Sequence, residues 1–126
     1  MANSLLLKLL LPVALTCLLS ALGNTLWKIQ FVRTPLNMDN LSSNLHLAAS
    51  PLIWGGIILF TLSMALFFIL LSKHNLSIIV PVVTALTYIF NYLSAILIFK
   101  EKISLIQISG ACLIIVGIYL ISKVEI

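Results

Sequence analysis

The sequence predicts an all-α membrane protein with four transmembrane helices, and three observations carry that prediction. Of the 126 residues, 62% are hydrophobic and only 8% are charged, against about 25% charged in a typical soluble domain. The few charges stand at the ends of long apolar runs rather than inside them. A hydrocarbon core about 30 Å thick needs roughly 20 apolar residues per helix, so four spans use about 80 residues. What remains is enough for short connections and too little for a soluble domain.

Helix 1 is expected over about residues 5–28. Its charge-free run extends from Leu9 to Trp27, and back to Leu5 when Lys8 snorkels its ammonium to the interface. A secretory signal is the competing reading, because Lys8 resembles a basic n-region and Ala21-Leu22-Gly23 a small-residue cleavage site. The run is long for an h-region. Residues 29–50 form a polar connection containing Arg33, Thr34-Pro35, Asp39 and a run of Asn and Ser from Asn40 to Asn44. Within it Leu41, Leu45 and Ala48 share one helical face. That pattern admits a short amphipathic helix at the interface, capped by Asp39 or Asn40, and equally an irregular loop.

Helix 2 is expected over about 51–72, with Ser50 as N-cap and Pro51 in the first helical position. Lys73, His74 and Asn75 then turn the chain. Helix 3 covers about 77–99, with Pro81 early enough that its missing N–H costs little and bends only the opening turns. Lys100-Glu101-Lys102 closes it, helix 4 covers about 103–122, and Lys123 to Ile126 follow. Residues 1–126 thus read as a single transmembrane domain. Lys8, Lys73 and Lys123 fall on one side of the membrane and Lys28, Arg33, Lys100 and Lys102 on the other. Three against four sets no orientation, and admits insertion both ways round as an antiparallel homodimer.

The same residues exclude several function classes. The net charge of +4 is scattered among segment ends, without the basic cluster of a nucleic-acid surface. Cys17 and Cys112 lie in apolar runs, where a thiol acts as a small hydrophobe, and His46 and His74 are isolated. With no Ser/His/Asp grouping, metal-ligand set or Gly-rich phosphate loop, neither enzyme activity nor a cofactor is expected.

Helices in hydrocarbon gain little by burying Leu against Leu, so small and polar residues mark packed or substrate-facing surfaces. Helix 1 carries Thr16, Ser20, Gly23 and Trp27 on one face, with Asn24 beside it and Lys28 at its end. Helix 3 places Thr84, Thr87, Tyr88, Asn91 and Ala95 in a narrow arc, with Ser94 at the edge. Such a stripe either bonds a neighbouring helix or lines a substrate path; Asn91 is the strongest candidate for the second role. Lys28 is either an interfacial anchor or a partner for lipid phosphate. Glu101 is either paired locally with its flanking lysines or a component of a gate. Gly110 and Gly117, two turns apart, form a smooth face for another backbone. No Asp or Glu lies inside any span, so the buried carboxylate common in proton-coupled carriers is missing.

The stretch Leu18-Leu19-Ser20-Ala21-Leu22-Gly23-Asn24-Thr25-Leu26-Trp27-Lys28 resembles the first-helix pattern of the drug/metabolite transporter superfamily, most of all in its small four-helix members. Small multidrug resistance exporters carry an essential carboxylate three residues before this Gly, where Ser20 stands here, so the chain departs from the drug antiporters. It is more similar to the aminoarabinose-phosphoundecaprenol flippase subunits, which share a Leu-Leu-Ser-x-x-Gly-x-x-x-x-Lys pattern. Asn75 to Pro81, Phe99-Lys100-Glu101 followed by Gln107, and Gly110 to Gly117 extend the resemblance through the second half. The connection from Phe31 to Ser50 falls outside it.

The resemblance implies a small multidrug resistance or EamA-like half-unit that dimerises, with itself or with a related four-helix chain. It implies a multi-pass protein of the bacterial inner membrane that moves a polyprenyl-phosphate-linked sugar between leaflets. The implied substrate-binding residues are Ser20, Asn24, Trp27, Lys28, Thr84, Thr87, Tyr88, Asn91 and Glu101. Lys28 would meet the lipid phosphate, Glu101 a basic headgroup or a gate, and Gly110 and Gly117 the dimer contact. Two other functions are expected to compete: a small multidrug or metabolite exporter of the same superfamily, and a non-transporting membrane subunit of a glycosyltransferase system.

Overall fold

In hydrocarbon every backbone N–H and C=O needs a partner within the chain, which leaves the helix as the economical form for apolar runs of this length. The computed structural model describes residues 2–123, with backbone alone for 2–6 and 122; Val124, Glu125 and Ile126 lie outside the described residues. Five helices follow one another: α1 (Ala2–Arg33), α2 (Leu41–Ala48), α3 (Pro51–Lys73), α4 (Leu76–Leu97) and α5 (Leu105–Ser122).

Three of them, α1, α3 and α4, are long and apolar enough to cross a bilayer, with mean hydropathies of 1.8, 2.3 and 1.8. The chain is therefore a membrane-spanning helical protein. The fourth apolar helix, α5, has 18 residues; at about 1.5 Å per residue it reaches ~27 Å, just under the hydrocarbon thickness. Hydropathy predicts four equivalent spans, and the fold contains three full-length helices and one shorter one.

The boundaries differ from the expected ones for identifiable reasons. The first helix continues past residue 28 to Arg33, where the Thr34 amide donates to the Gln30 carbonyl at 2.9 Å and the Gln30 side-chain amide to the Thr34 hydroxyl at 2.6 Å. The connection 29–50 is not all loop, because Leu41–Ala48 is helical with Asn40 as N-cap. The shared face of Leu41 and Leu45 points outward, while Leu47 is buried. Helix α4 stops at Leu97 rather than 99. Its C-cap Ile98 is followed by Lys100 in the left-handed region, φ 50°, which reverses the chain. α5 then starts at Leu105 rather than 103, where Ser104 and Gln107 form a reciprocal capping box.

The packing is organised around α1. Against α3 the pairing is antiparallel: the Ser63 hydroxyl donates to the Thr16 carbonyl at 2.9 Å, and further along the Trp27 indole N–H donates to the Ile53 carbonyl at 3.2 Å. Gly23 and Gly56 lie between these two bonds. A β-carbon on Gly23 would stand 3.1 Å from the Gly56 carbonyl oxygen, and one on Gly56 would overlap the Trp27 ring. Against α4 the pairing is parallel: the Cys17 thiol donates to the Val83 carbonyl at 3.4 Å, and the Asn24 side-chain amide to the Asn91 side-chain oxygen at 3.5 Å. Val13, Cys17, Leu70, Ile79 and Val83 close the core toward the α3–α4 turn. α5 lies along α4, and a β-carbon added to Gly110 or Gly117 would meet no atom of another helix within 4 Å among the described residues.

Because Gly56 is occupied from above by a rigid indole, Gly56→Ala is expected to destabilise the fold by about 1–3 kcal/mol, the usual cost of overpacking. Gly110→Ala, on an open face, is expected to change the monomer by less than about 0.5 kcal/mol. Unfolding titrations of both variants in detergent check the difference.

Candidate functional site

The seam between α1 and α4 positions the chemistry. On one flank of the seam the helices diverge to leave a cavity of about 450 Å3. α1 contributes Thr16 and Ser20, and α4 contributes Val83, Thr84, Thr87, Tyr88 and Asn91. The third wall is α3, through Phe60, Ser63, Met64 and Phe67. The cavity exists because α3 and α4 both lean on α1 and share the core chiefly near their turn, through Leu70 and Ile79. Its lining holds hydroxyls, an amide and aromatic rings and no charged side chain. The Thr16 hydroxyl is spent on the Pro12 carbonyl at 2.7 Å, inside its own helix, so its burial leaves no orphan polar group.

At the end of the seam nearest the connections, a second cavity of about 180 Å3 forms a mouth. Asn24, Thr25 and Lys28 line it from α1, and Asn91, Ser94 and Ala95 from α4. Phe99 and Glu101 complete it from the α4–α5 connection. The reversal at Lys100 brings the Glu101 amide back to the Ala95 carbonyl at 3.0 Å. That return sets the Glu101 carboxylate 3.4 Å from the Lys28 ammonium, with the Lys28 and Glu101 side chains about half exposed, at 53% and 48%. The Lys28 ammonium also stands 5.8 Å from the centre of the Phe99 ring, within cation–π range.

The residues singled out in the sequence separate into three places. Ser20, Thr84, Thr87, Tyr88 and Asn91 line the larger cavity, and Asn24, Lys28, Asn91 and Glu101 the mouth. Asn91 belongs to both, and its side-chain oxygen accepts from the Asn24 amide, which lines the mouth. Trp27 departs from the expected grouping. It sits against α3, over Gly56, with its ring centroid 5.5 Å from that of Phe60, and lines neither cavity. The stripe on α1 is split because the glycine at 56 draws the indole sideways.

Two further assignments change. Glu101 meets Lys28 across the fold, rather than being limited to its neighbours Lys100 and Lys102. α3, which contributes none of the residues singled out in the sequence, supplies a full wall of the larger cavity. Its one sequence signal is Ser63, a polar residue deep in an apolar run whose partner, the Thr16 carbonyl, only packing reveals. Gly110 and Gly117 lie away from both cavities.

Compared with known protein families, with curated proteins and with solved structures, the chain finds no match. Its chemistry is therefore read from the geometry. An ammonium at the mouth can hold an anionic oxygen, and a neutral wall of hydroxyls, amide and rings can receive an uncharged polar group. Among the described residues no His, Cys, Asp and Glu side chains gather in a group that could hold a metal ion.

The Lys28–Glu101 pair is half exposed, so its worth to folding is small, about 1 kcal/mol or less. A double-mutant cycle of Lys28→Ala and Glu101→Ala is expected to give a coupling energy below about 1 kcal/mol that shrinks as salt is raised. A larger, salt-insensitive coupling would show the pair to be a structural clamp.

Proposed function

We propose that this chain is a flippase subunit that moves a polyprenyl-phosphate-linked sugar between the leaflets of a bacterial inner membrane. The observation that supports this reading is that Asn91 is shared by a mouth bearing Lys28 and an uncharged cavity, lined by hydroxyls and rings, halfway along the helices. A lipid tail remains in hydrocarbon during transfer, whereas its headgroup, crossing unaided, would give up its hydrogen bonds to water at several kcal/mol. A lining of Ser20, Thr84, Tyr88 and Asn91 returns hydrogen bonds to sugar hydroxyls, and the Tyr88 and Phe60 rings offer faces for the sugar's C–H groups. Lys28 supplies a charge-assisted bond to the phosphate, and Glu101, its resting partner, is released or turned to a basic substituent when phosphate arrives.

In this reading α5 completes a fourth span, and its open glycine face meets a second copy or a related four-helix chain. The resemblance in the first helix and in Gly110 to Gly117 supports the same assignment. A second reading is favoured by one feature: a cavity of about 450 Å3 also suits a small polar solute, as an exporter would require.

Reconstituted vesicles separate the two. Labelled polyprenyl-phosphate sugar is expected to cross faster than in protein-free vesicles. Lys28→Ala is expected to slow it about tenfold or more, the scale of one lost hydrogen bond to a charged group, and Lys28→Arg to retain a fraction of the rate. Transfer no faster than in protein-free vesicles would sink the flippase reading, and solute-dependent uptake in its place would favour the exporter.

For the second chain, Gly110→Leu and Gly117→Leu are expected to reduce a crosslinked dimer band at least severalfold while leaving the monomer folded, because backbone approach needs small residues. An unchanged dimer would place the contact elsewhere.

A further inference from the structure

A third cavity lies on the opposite flank of the α1–α4 seam from the polar one. It is a groove of about 150 Å3, lined by Leu18, Ala21 and Leu22 of α1 and by Phe90, Leu93 and Leu97 on α4, with Ile98 at its end. Its one polar side chain, Ser94, also lines the mouth that holds Lys28. The mouth therefore stands at a fork. It shares Asn91 with the polar cavity and Ser94, nearly one helical turn further along α4, with the apolar groove.

The two branches differ in what they offer, hydroxyls and an amide among rings in one and, Ser94 apart, hydrocarbon alone in the other, with a cation between them. An amphiphile whose anionic group sits on Lys28 must send its polar end into one branch and its hydrocarbon into the other, because the reverse leaves sugar hydroxyls unbonded against leucine. The groove, about 150 Å3, has room beside the phosphate for a single hydrocarbon chain, which a single-chain lipid presents there and a glycerophospholipid, with two acyl chains on one headgroup, does not. The groove is small, and holds only the stretch of chain beside the phosphate while the remainder trails into the bilayer.

We propose that the groove between Leu18 and Leu22 of α1 and Leu93 and Leu97 of α4 is the seat of the phosphate-proximal hydrocarbon of a single-chain polyprenyl phosphate. This rests on the reading of Lys28 as the phosphate partner, and it adds a track for the tail that is separate from the path of the headgroup. The seam between the two branches keeps tail and headgroup apart while the phosphate stays at the fork.

The test is site-directed photocrosslinking in phosphatidylcholine vesicles doped with tritiated long-chain polyprenyl phosphate. A benzophenone amino acid replaces Leu93, which is partly exposed in the groove, or Leu113, which is exposed on α5 away from it. Tritium on the chain is expected to be about tenfold higher from position 93 than from position 113. It is expected to fall by a similar factor with Lys28→Ala and to remain with Lys28→Arg, which keeps the charge. Unlabelled polyprenyl phosphate is expected to compete, whereas polyprenol and a diacyl phosphatidic acid are not.

Equal labelling at 93 and 113, or labelling at 93 that ignores Lys28→Ala, would mark ordinary surrounding lipid and overturn the proposal. Elution profile and tryptophan fluorescence of each variant establish that it is folded before labelling is compared. The outcome is separable from the transport assay. Lys28-dependent labelling without sugar transfer keeps the groove and removes the flippase, and transfer with Lys28-independent labelling does the reverse.

Discussion

The close approach of α1 and α3 through Gly23 and Gly56 is the constraint on which the rest of this structure depends. Lipid tails are as apolar as leucine, so two helices in a membrane are not driven together by burying side chains. They adhere where backbones come near enough for dispersion and interhelical hydrogen bonds to act. Here the Gly56 carbonyl oxygen would crowd a β-carbon on Gly23 at 3.1 Å, and Trp27 fills the space over Gly56 and donates to the Ile53 carbonyl. With α1 and α3 locked in antiparallel register, one face of α1 remains for α4, and the α1–α4 seam follows.

That seam divides the chemistry of the molecule. Its contacts are modest: a thiol to a carbonyl at 3.4 Å and one amide pair at 3.5 Å. The amide pair is long for a hydrogen bond and the thiol is a weak donor, so the seam is held lightly by its polar groups. Near the α3–α4 turn the seam is closed by apolar packing around Cys17 and Val83. Toward the α4–α5 connection it loosens, and the mouth with Lys28 and Glu101 opens there. Four basic and two acidic side chains occur at this end, Lys28, Arg33, Lys100 and Lys102 with Asp39 and Glu101, so it carries a surplus of positive charge. The larger cavity, by contrast, is lined by no carboxylate or ammonium, and its polar groups are hydroxyls and one amide among aromatic rings.

Much of this is legible from residue order. Long charge-free runs give away the membrane, because a bilayer tolerates little else, and Ser50-Pro51 marks the start of α3 at the residue where it begins. Polar residues at helical spacing on α4 point to one face, and that face lines the larger cavity. Where local pattern misleads, the cause is tertiary. The face shared by Thr16, Ser20, Gly23 and Trp27 looks uniform by periodicity, but Trp27 is claimed by α3. The helical form of Leu41–Ala48 is undecided by pattern alone, since eight residues hold too few turns for periodicity to outweigh polar composition. The reversal at Lys100 has no signal at all, since a lysine in the left-handed region is recognisable only from the backbone it joins.

Sequence by itself determined that the chain lives in a bilayer as helices, where those helices begin to within a few residues, and which positions bring polar groups into hydrocarbon. These follow from local rules: apolar length against membrane thickness, caps, and the 3.6-residue period. Only the tertiary structure decided which polar residues share a cavity, that Glu101 turns to Lys28, that Trp27 serves packing, and that polar and apolar grooves meet at one mouth. Those outcomes depend on the register between α1 and its two neighbours, a relation between distant residues, 67 positions apart in the Asn24–Asn91 bond, that no local pattern contains.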